Sequence, residues 1–302
     1  MLKKKLKENL IIFYIYNKIT EFCHEYFISS ERAIKSEFRK RLGREPNLIN
    51  PVLFTDKLQW LKLNWYDERA TVFADKYRVR KFVSKSIGSE YLNELYGVYN
   101  RVDEIDISKL PKSFVLKGTH GSGFNIICSD KDKINWKQAK KTMKKWLLTN
   151  YYYKKREWVY KDIKPRIICE KYLSDKNTPD KGIPDYKFYC FNGVPHYCQV
   201  IKNRGTNETI DFFNMEWEHM PFTGMRLLPN SKVKIEKPGK FEEMKVLASK
   251  LSEGFPFVRV DFYYVNKQII FGEMTFFPTS GMGRFDPPEW DRKLGELLKL
   301  PY

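Results

Sequence analysis

The chain lacks the marks of a secreted, disulfide-stabilised or repeat protein. Its five cysteines form no CxxC pair and are odd in number, which favours a reduced, cytoplasmic compartment over a disulfide framework. It has no internal repeat and no low-complexity tract, and its prolines and glycines are spread along its length, so no flexible linker stands out. Hydrophobic residues make up 42% and aromatic residues 16% of the 302 residues. This composition and length indicate a globular protein with room for two subdomains.

The chain also has no apolar run long enough to span a bilayer. Near the N-terminus a lysine-rich stretch, KKKLK at 3–7, precedes the short run LIIFYIY at 10–16, but no small-residue cleavage site follows. Polar residues at helical spacing after this run, Asn17, Lys18 and Glu21, predict an amphipathic helix with a basic end. This helix either packs onto its own domain or makes peripheral contact with the inner face of an anionic membrane.

Acidic residues are too few to balance the basic ones, and the formal net charge is +18. A basic and aromatic segment at 136–156 is the kind of surface on which single-stranded bases stack. However, Trp136 and Trp146 are ten residues apart, which is typical of a buried helical stripe with lysines outside. No RRM, KH, helix-turn-helix or zinc-finger signature is present. An acidic substrate, a nucleotide or a membrane surface explains the charge equally well, and nucleic acid is the disfavoured partner.

Two carboxylates stand close to one another in the C-terminal stretch FVRVDFYYVNKQIIFGEMTFFPTSG. The segment Val265–Gln268 predicts a hairpin turn, which would bring Asp261 and Glu273 near each other on paired strands. With no Cys/His cluster nearby, two such carboxylates suit a hard divalent cation such as Mg²⁺. On this hairpin alone, two ordinary acids on an edge hairpin are the favoured explanation.

A glycine-rich loop lies in the stretch PKSFVLKGTHGSGFNIIC, residues 111–128. A short apolar strand ends at Lys117, a loop with three glycines follows, and a second apolar strand begins. Glycines allow backbone N–H groups to approach phosphate oxygens closely, so this layout is typical of a lid over phosphates. It is neither a Walker A loop nor a GxGxxG motif, and a plain hairpin loop is the alternative. Together with the carboxylate pair it favours a Mg²⁺–nucleotide site.

The remaining pattern predicts an α+β class, with helices between antiparallel hairpins. Helices are predicted at 1–42, at 52–63 with Thr55 as N-cap, and at 70–86, 135–149 and 239–252. Strands are predicted at 95–99, 113–117, 124–128 and 167–173, with hairpins at 185–201 and 208–217 and the carboxylate hairpin after them. Cys190, His196 and Cys198 alternate along one of these strands, which indicates packing more than a zinc site.

The order of the motifs FTDKLQWLKL, ADKYRVRKFV, LPKSFVLKGTHGSGFNII, DYKFYCFNG and VRVDFYYVNKQIIFGEMTFFPTSGMGRFDPPEW, across roughly residues 45 to 302, resembles the ATP-grasp superfamily. Within it, the chain is similar to the TupA-like branch, which is linked to bacterial surface-polysaccharide synthesis. The resemblance implies two α+β subdomains that grip a nucleotide. The implied division is a helical extension at 1–45, a pre-ATP-grasp region at 46–110, a small subdomain with the lid at 111–174 and a large subdomain with the metal site at 175–302.

The resemblance also implies roles for individual residues. The residues implied to bind ATP are Lys76, Lys117, the lid residues His120, Gly121, Ser122 and Gly123, and the hinge residues Glu170, Lys171, Tyr172 and Leu173. The implied Mg²⁺ ligands are Asp261, Glu273 and Thr275, the last of which stands where the family commonly has asparagine.

Four further residues have implied roles in catalysis and substrate binding. Lys187 stands where related ligases have an arginine that neutralises a γ-phosphate or acyl phosphate. Arg259 either orients phosphate or substrate or forms a structural ion pair with the acids. Ser280 and Arg284 are implied to bind the acidic substrate.

These parts imply an ATP- and Mg²⁺-dependent carboxylate–amine ligase that works through an acyl phosphate. The chain shows no GxSxG elbow and no cysteine with a catalytic signature, so no covalent nucleophile is expected. The implied substrates are an acidic sugar or polysaccharide precursor, for example of a capsule, and an amine co-substrate. The alternatives are a glycosyltransferase or a phosphotransferase of the same pathway, although no HRD or DFG kinase signature is present, and a basic nucleic-acid-binding protein.

Overall fold

The computed structural model describes residues 9–175 and 182–301. The chain divides into two compact units. The first unit comprises Met1–Ala33, Glu68–Val79 and Asn93–Tyr172, and the second comprises Ile34–Asp67, Arg80–Leu92 and Leu173–Tyr302. Each unit is built around its own antiparallel sheet, which confirms the predicted α+β class.

Helices occur in both units. In the described part of the chain they are α1 Leu10–Tyr26, α2 Ser30–Leu42, α3 Phe54–Asn64, α4 Glu68–Ala74, α5 Val79–Ser86, α6 Trp136–Leu147, α7 Tyr152–Lys155, α8 Phe241–Ser252 and α9 Glu289–Leu297. No helix of the described residues is both long and apolar enough to cross a membrane.

The sheet of the first unit has four antiparallel strands in the order β1-β4-β2-β3. These strands are β1 Leu95–Tyr99, β2 Phe114–Gly118, β3 Asn125–Cys128 and β4 Ile167–Lys171. Alternation along β2 buries Phe114 and Leu116 against Met143 and Trp146 of α6, as expected for a strand with one face on the core. This packing fixes the end of β2, from which the glycine-rich loop leaves.

The main sheet of the second unit has five antiparallel strands in the order β10-β9-β5-β6-β7, and a two-stranded sheet pairs β11 with β8. The strands are β5 Asp185–Phe191, β6 Val194–Lys202, β7 Thr209–Phe213, β8 Thr223–Met225, β9 Phe257–Val265, β10 Gln268–Thr275 and β11 Arg284–Asp286. The turns Asn192-Gly193 and Asn266-Lys267 have positive φ at both central residues, the geometry that favours two-residue hairpins. Both predicted turns are therefore present.

Two predicted helices differ from the observed ones. The helix predicted at 70–86 is broken at Asp75, whose buried carboxylate accepts hydrogen bonds from the backbone N–H groups of Tyr77 (2.9 Å) and Arg78 (3.3 Å). Such a side chain offers the backbone an alternative to the helical ladder. The helix predicted at 1–42 is likewise interrupted within the described residues 9–42, because α1 ends at Tyr26 and α2 begins at Ser30. The part of this prediction at 1–8 lies outside the described residues.

Two smaller predictions are wrong. Thr55 lies inside α3 and is not its N-cap; Leu53 holds that position, and the N–H of Thr55 is satisfied by Asp291 of α9 at 2.8 Å. A residue distant in sequence thus replaces the local cap. The segment 208–217 is not a hairpin but the single strand β7, after which the chain returns only for the isolated pairing of Phe213 with His219.

Four of the five cysteines are buried as free thiols: Cys128, Cys169, Cys190 and Cys198. Burial raises the pKa of Cys169 and of Cys190 to about 12 and raises that of Cys128 and of Cys198, so these thiols pack as apolar groups. Cys23, on α1, is partly exposed.

Candidate functional site

A β-bulge at Gly272 aligns the two carboxylates of the C-terminal hairpin. From the turn, the strands pair in regular register as far as Phe262 opposite Phe271; the register then shifts, and Asp261 lies opposite Glu273. Without the extra residue, Asp261 would pair with Gly272, and Glu273 would point to the other face of the sheet. The bulge therefore places both acids side by side on one face.

Lys187 and Arg259 complete a buried charge cluster with these acids. Lys187 lies opposite Asp261 on the neighbouring strand β5 and forms an ion pair with it. Arg259 donates from Nε and Nη2 to the two oxygens of Asp261, both at 2.7 Å, and from Nη2 to Glu273 at 3.3 Å. Burial opposes the charge of Arg259, but Asp261 outweighs it and raises the pKa of the guanidinium. The ion pairs are what makes the buried Asp261 tolerable.

Thr275 adds a third oxygen to this face. Its hydroxyl donates to Glu273 Oε1 at 3.2 Å and accepts from Arg259 Nη2 at 3.2 Å. Two carboxylates and a hydroxyl fit Mg²⁺, which prefers oxygen ligands and leaves several of its coordination positions to water and phosphate. Within the described residues no group of three or more His, Cys, Asp or Glu side chains is arranged to hold a metal, so Asp261, Glu273 and Thr275 would supply a partial shell.

Four polar residues that were not predicted from the sequence, Asp185, Tyr189, Gln199 and Arg204, lie next to the cluster. Asp185 lies 3.8 Å from Lys187 Nζ and is itself paired with Arg204. Gln199 faces Lys187 in the register of β5 and β6 and accepts from the buried Tyr189 hydroxyl at 3.3 Å. The alternation in DYKFY carried a signal for part of this set, because it puts Asp185, Lys187 and Tyr189 on one face.

In the first unit, the two predicted nucleotide lysines are anchored by neighbouring groups. Lys117 Nζ lies 2.7 Å from Glu170 on the adjacent strand β4. Lys76 donates from its backbone N–H to Thr119 at 3.3 Å and from Nζ to the Gly121 carbonyl at 3.0 Å. The structure thus connects Lys76 directly to the glycine-rich loop and Lys117 to the first hinge residue.

The glycine-rich loop has a buried and an exposed half. Gly121 is buried, and a Cβ there would lie 2.7 Å from the Tyr151 ring, so only glycine allows this packing. Ser122 and Gly123 are exposed, and Gly123 has a φ of +75°, which glycine adopts without strain. Residues 122–123 are therefore the part of the predicted lid that a ligand can reach.

The imidazole of His120 points into the protein. Its Nε2 lies 2.7 Å from the Trp146 carbonyl oxygen, so Nε2 carries the proton, and Nδ1 has no hydrogen-bond partner among the described residues. Burial lowers the pKa of His120 to about 4, which makes the ring neutral at physiological pH. Any contact of His120 with phosphate would therefore come from its backbone.

The predicted adenine hinge, residues 170–173, begins inside β4, which contains Glu170 and Lys171. The N–H of Lys171 donates to the Glu94 carbonyl at 2.9 Å, and its carbonyl accepts from Asn93 at 2.9 Å. Both backbone polar groups of Lys171 are therefore used within the first unit.

The predicted substrate residues Ser280 and Arg284 differ in their surroundings. Arg284 is exposed and donates to the Arg41 carbonyl at 3.0 Å. Ser280 is buried with a φ of +60°, next to Thr279 with a φ of +50°. Positive φ values place both residues in the left-handed backbone conformation, which is strained for residues other than glycine. Such strain clusters at functional sites.

Two buried side chains of α3 hold this strained segment. Lys62 Nζ donates to the Ser280 carbonyl at 2.8 Å, and Gln59 donates to the Gly281 carbonyl at 2.8 Å. Neither residue was predicted from the sequence. The signal was the pair of long polar side chains three residues apart on a largely buried helix, which share one face.

One DxD triplet, the motif with which some glycosyltransferases bind metal, occurs at Asp130-Lys131-Asp132. Asp130 caps a short 3₁₀ turn by accepting from the Asp132 N–H at 3.1 Å. This use of the triplet is structural, and the glycosyltransferase alternative gains no support from it.

Several solved structures are similar to this chain. D-alanine–D-alanine ligase from Bacillus anthracis, complexed with ATP, shares 15% identity with a TM-score of 0.41, over 75% of this chain and 63% of its own. The same enzyme from Helicobacter pylori shares 16% identity with a TM-score of 0.38, over 76% of this chain and 62% of its own. The ATP-grasp ligase PsnB, complexed with minimal precursor, Mg and ADP, shares 12% identity with a TM-score of 0.37, over 73% of this chain and 57% of its own. This chain therefore spans less than two thirds of the length of each.

No curated protein matches the chain by sequence. The family model described as TupA-like ATPgrasp matches residues 56–299, which is well over half of the chain. This match confirms the resemblance carried by the motifs, and the chain belongs to the TupA-like ATP-grasp family.

Proposed function

We propose that this protein is an ATP- and Mg²⁺-dependent ligase that joins a carboxylate to an amine. Membership of the TupA-like ATP-grasp family supports the use of ATP. The observation that carries the proposal is the bulge-aligned pair Asp261 and Glu273, in which Lys187 pairs with Asp261 and Arg259 pairs with both acids.

The charge balance of the cluster fits phosphoryl transfer. Its three acids, Asp185, Asp261 and Glu273, are matched by three cations, Lys187, Arg204 and Arg259. A Mg²⁺ ion bound there would neutralise charge on a transferring phosphoryl group. Because the cluster is neutral without the ion, loading it makes the site electropositive and favours an anionic phosphate over a neutral ligand.

The reaction has two steps. The substrate carboxylate attacks the terminal phosphorus of ATP, which forms an acyl phosphate and releases ADP. The amine then attacks the acyl carbon, phosphate leaves, and the amine nitrogen loses a proton. In both steps Lys187 and Arg259 supply fixed positive charge near the phosphoryl oxygens.

The proposed acid is a uronic acid or a similar acidic sugar of a surface-polysaccharide precursor, and the proposed amine is an amino acid or an amino sugar. The family branch supports this class, and a net charge of +18 suits an acidic glycan. The fold alone would host many other substrates.

The test is an ATP-turnover screen of purified protein with panels of uronic acids and amines. We expect release of ADP and phosphate only when both an acid and an amine are present, and a product whose mass is the sum of the two substrates less one water. ADP release with phosphate retained on the substrate would instead identify a phosphotransferase. Consumption of a sugar nucleotide without ATP turnover would identify a glycosyltransferase.

A further inference from the structure

Helix α1 exposes a continuous apolar stripe. Ile11, Ile15, Ile19, Phe22 and Tyr26 are between 50% and 71% exposed. At 100° per residue they lie within an arc of about 80° on one side of the helix. A surface helix of a globular protein usually turns such a stripe toward the core, so this stripe indicates an additional contact surface.

The opposite side of α1 attaches the helix to the first unit, largely through polar groups. Asn17 donates to the Leu148 carbonyl at 3.1 Å, and Arg156 donates to the His24 carbonyl at 2.6 Å. The ammonium of Lys145 lies over the ring of Phe13, and its Nζ is 5.4 Å from the ring centroid. The helix is thereby held in place with its apolar side facing outward.

The charge near this stripe selects its occupant. Residues 1–8 contain four lysines, all in KKKLK at 3–7, against the single acid Glu8. The later acids of the helix are already neutralised, because Glu21 pairs with Lys18 at 2.7 Å and Glu25 with Lys161 at 3.0 Å. Within the described part of the helix, a second copy would therefore bring only acids that already have ion-pair partners, whereas anionic lipid headgroups complement the lysines at 3–7.

We propose that α1 docks the protein on an anionic lipid bilayer, with its axis in the plane of the headgroups. The helix spans about 25 Å, and it is not apolar enough to cross a membrane. Its tyrosines and phenylalanines are residues that favour the membrane–water interface. The inference does not depend on the proposed ligase activity.

The test is co-sedimentation of the full-length protein with vesicles of phosphatidylcholine alone or with about one third phosphatidylglycerol. Two double variants carry the same change in charge: Ile15→Glu/Ile19→Glu on the stripe, and Val233→Glu/Val246→Glu at exposed positions of the second unit. We expect wild-type protein to bind the anionic vesicles at least about tenfold more tightly than the neutral ones. The stripe variant should bind at least about tenfold more weakly than wild type, and the control within about twofold.

Thermal melts of both variants, together with sedimentation velocity without lipid, complete the design. Both variants should melt close to wild type, because all four positions are exposed. Absence of wild-type binding to anionic vesicles, or an equal loss in both variants, would overturn the proposal. So would a lipid-free dimer that the stripe variant dissociates, since a second copy would then be the occupant.

Discussion

At the residue scale, Glu273 is the proposed metal ligand whose role can be tested most cleanly. Its side chain is 33% exposed, whereas Asp261 is buried between two cations, and removing the Asp261 charge would also destabilise the fold. We expect Glu273→Gln to lower ATP turnover at least about a hundredfold, because the metal then loses a charged ligand. The melting temperature should change little.

The matched control is Glu236→Gln, a substitution of the same kind at a carboxylate that is 79% exposed. Turnover of the control should equal that of wild type. Wild-type turnover in Glu273→Gln as well would show that this carboxylate does not hold the metal.

His120 gives a prediction about stability at acid pH. Its pKa is about 4 in the folded protein and near 6.5 in the unfolded chain, so the unfolded state binds the extra proton first. The contribution of neutral His120 to the free energy of unfolding is therefore fully present above pH 6.5. It is lost as the pH falls toward 4 and amounts to about 3 kcal/mol in total. In urea unfolding at several pH values, His120→Gln should lack this component, because glutamine does not titrate. Parallel pH profiles for the two proteins would contradict the assignment.

At the scale of elements, the Gly272 bulge controls the relative position of the two acids. A Cβ at this position would lie 3.1 Å from the Asp261 carbonyl oxygen, so Gly272→Ala must shift β9 or β10 by a few tenths of an ångström. We expect turnover to fall about tenfold, because phosphoryl transfer depends on such positioning, while the unfolding free energy falls by about 1 kcal/mol.

Gly182→Ala is the corresponding control, since a Cβ there meets nothing within 4 Å. It should leave both quantities near wild type. If the loss of turnover in Gly272→Ala is no larger than the loss of folded protein accounts for, the bulge has a structural role only.

The same hairpin shows what the sequence could and could not predict. The turn at Asn266-Lys267 was predictable, because short-range chemistry selects a two-residue loop between strands. The bulge was not, because a glycine in a strand is compatible with several registers. The facing of Asp261 and Glu273 could therefore not be predicted from the sequence.

Elsewhere, tertiary partners replaced local signals. At the start of α3, Asp291 accepts the hydrogen bond from the backbone N–H of Thr55, so the cap is not supplied by the Thr55 side chain. The buried Asp75 interrupts a pattern that predicts one continuous helix. The roles of Lys62 and Gln59 could not be predicted, because they act on a segment more than 200 residues away. The lysines and carboxylates of the candidate site were predicted because their motifs occur in the order typical of the family.

At the scale of the whole molecule, nucleotide binding should appear as thermal stabilisation. A ligand at about 100 times its Kd adds about 2.7 kcal/mol to the free energy of unfolding, which corresponds to a rise of several degrees in Tm. We expect ATP with Mg²⁺ to raise the Tm more than ATP with EDTA. The difference should vanish in Glu273→Gln. An equal rise with and without metal would separate nucleotide binding from the proposed Mg²⁺ site.

The burial of four of the five cysteines also has a practical consequence. The thiols of Cys169 and Cys190, with pKa values of about 12, will react very slowly with maleimide reagents, whereas Cys23 is partly exposed on α1. The natural chain can therefore carry a single environment-sensitive dye on that helix without any cysteine being removed. Its emission would report directly whether this helix enters an apolar medium.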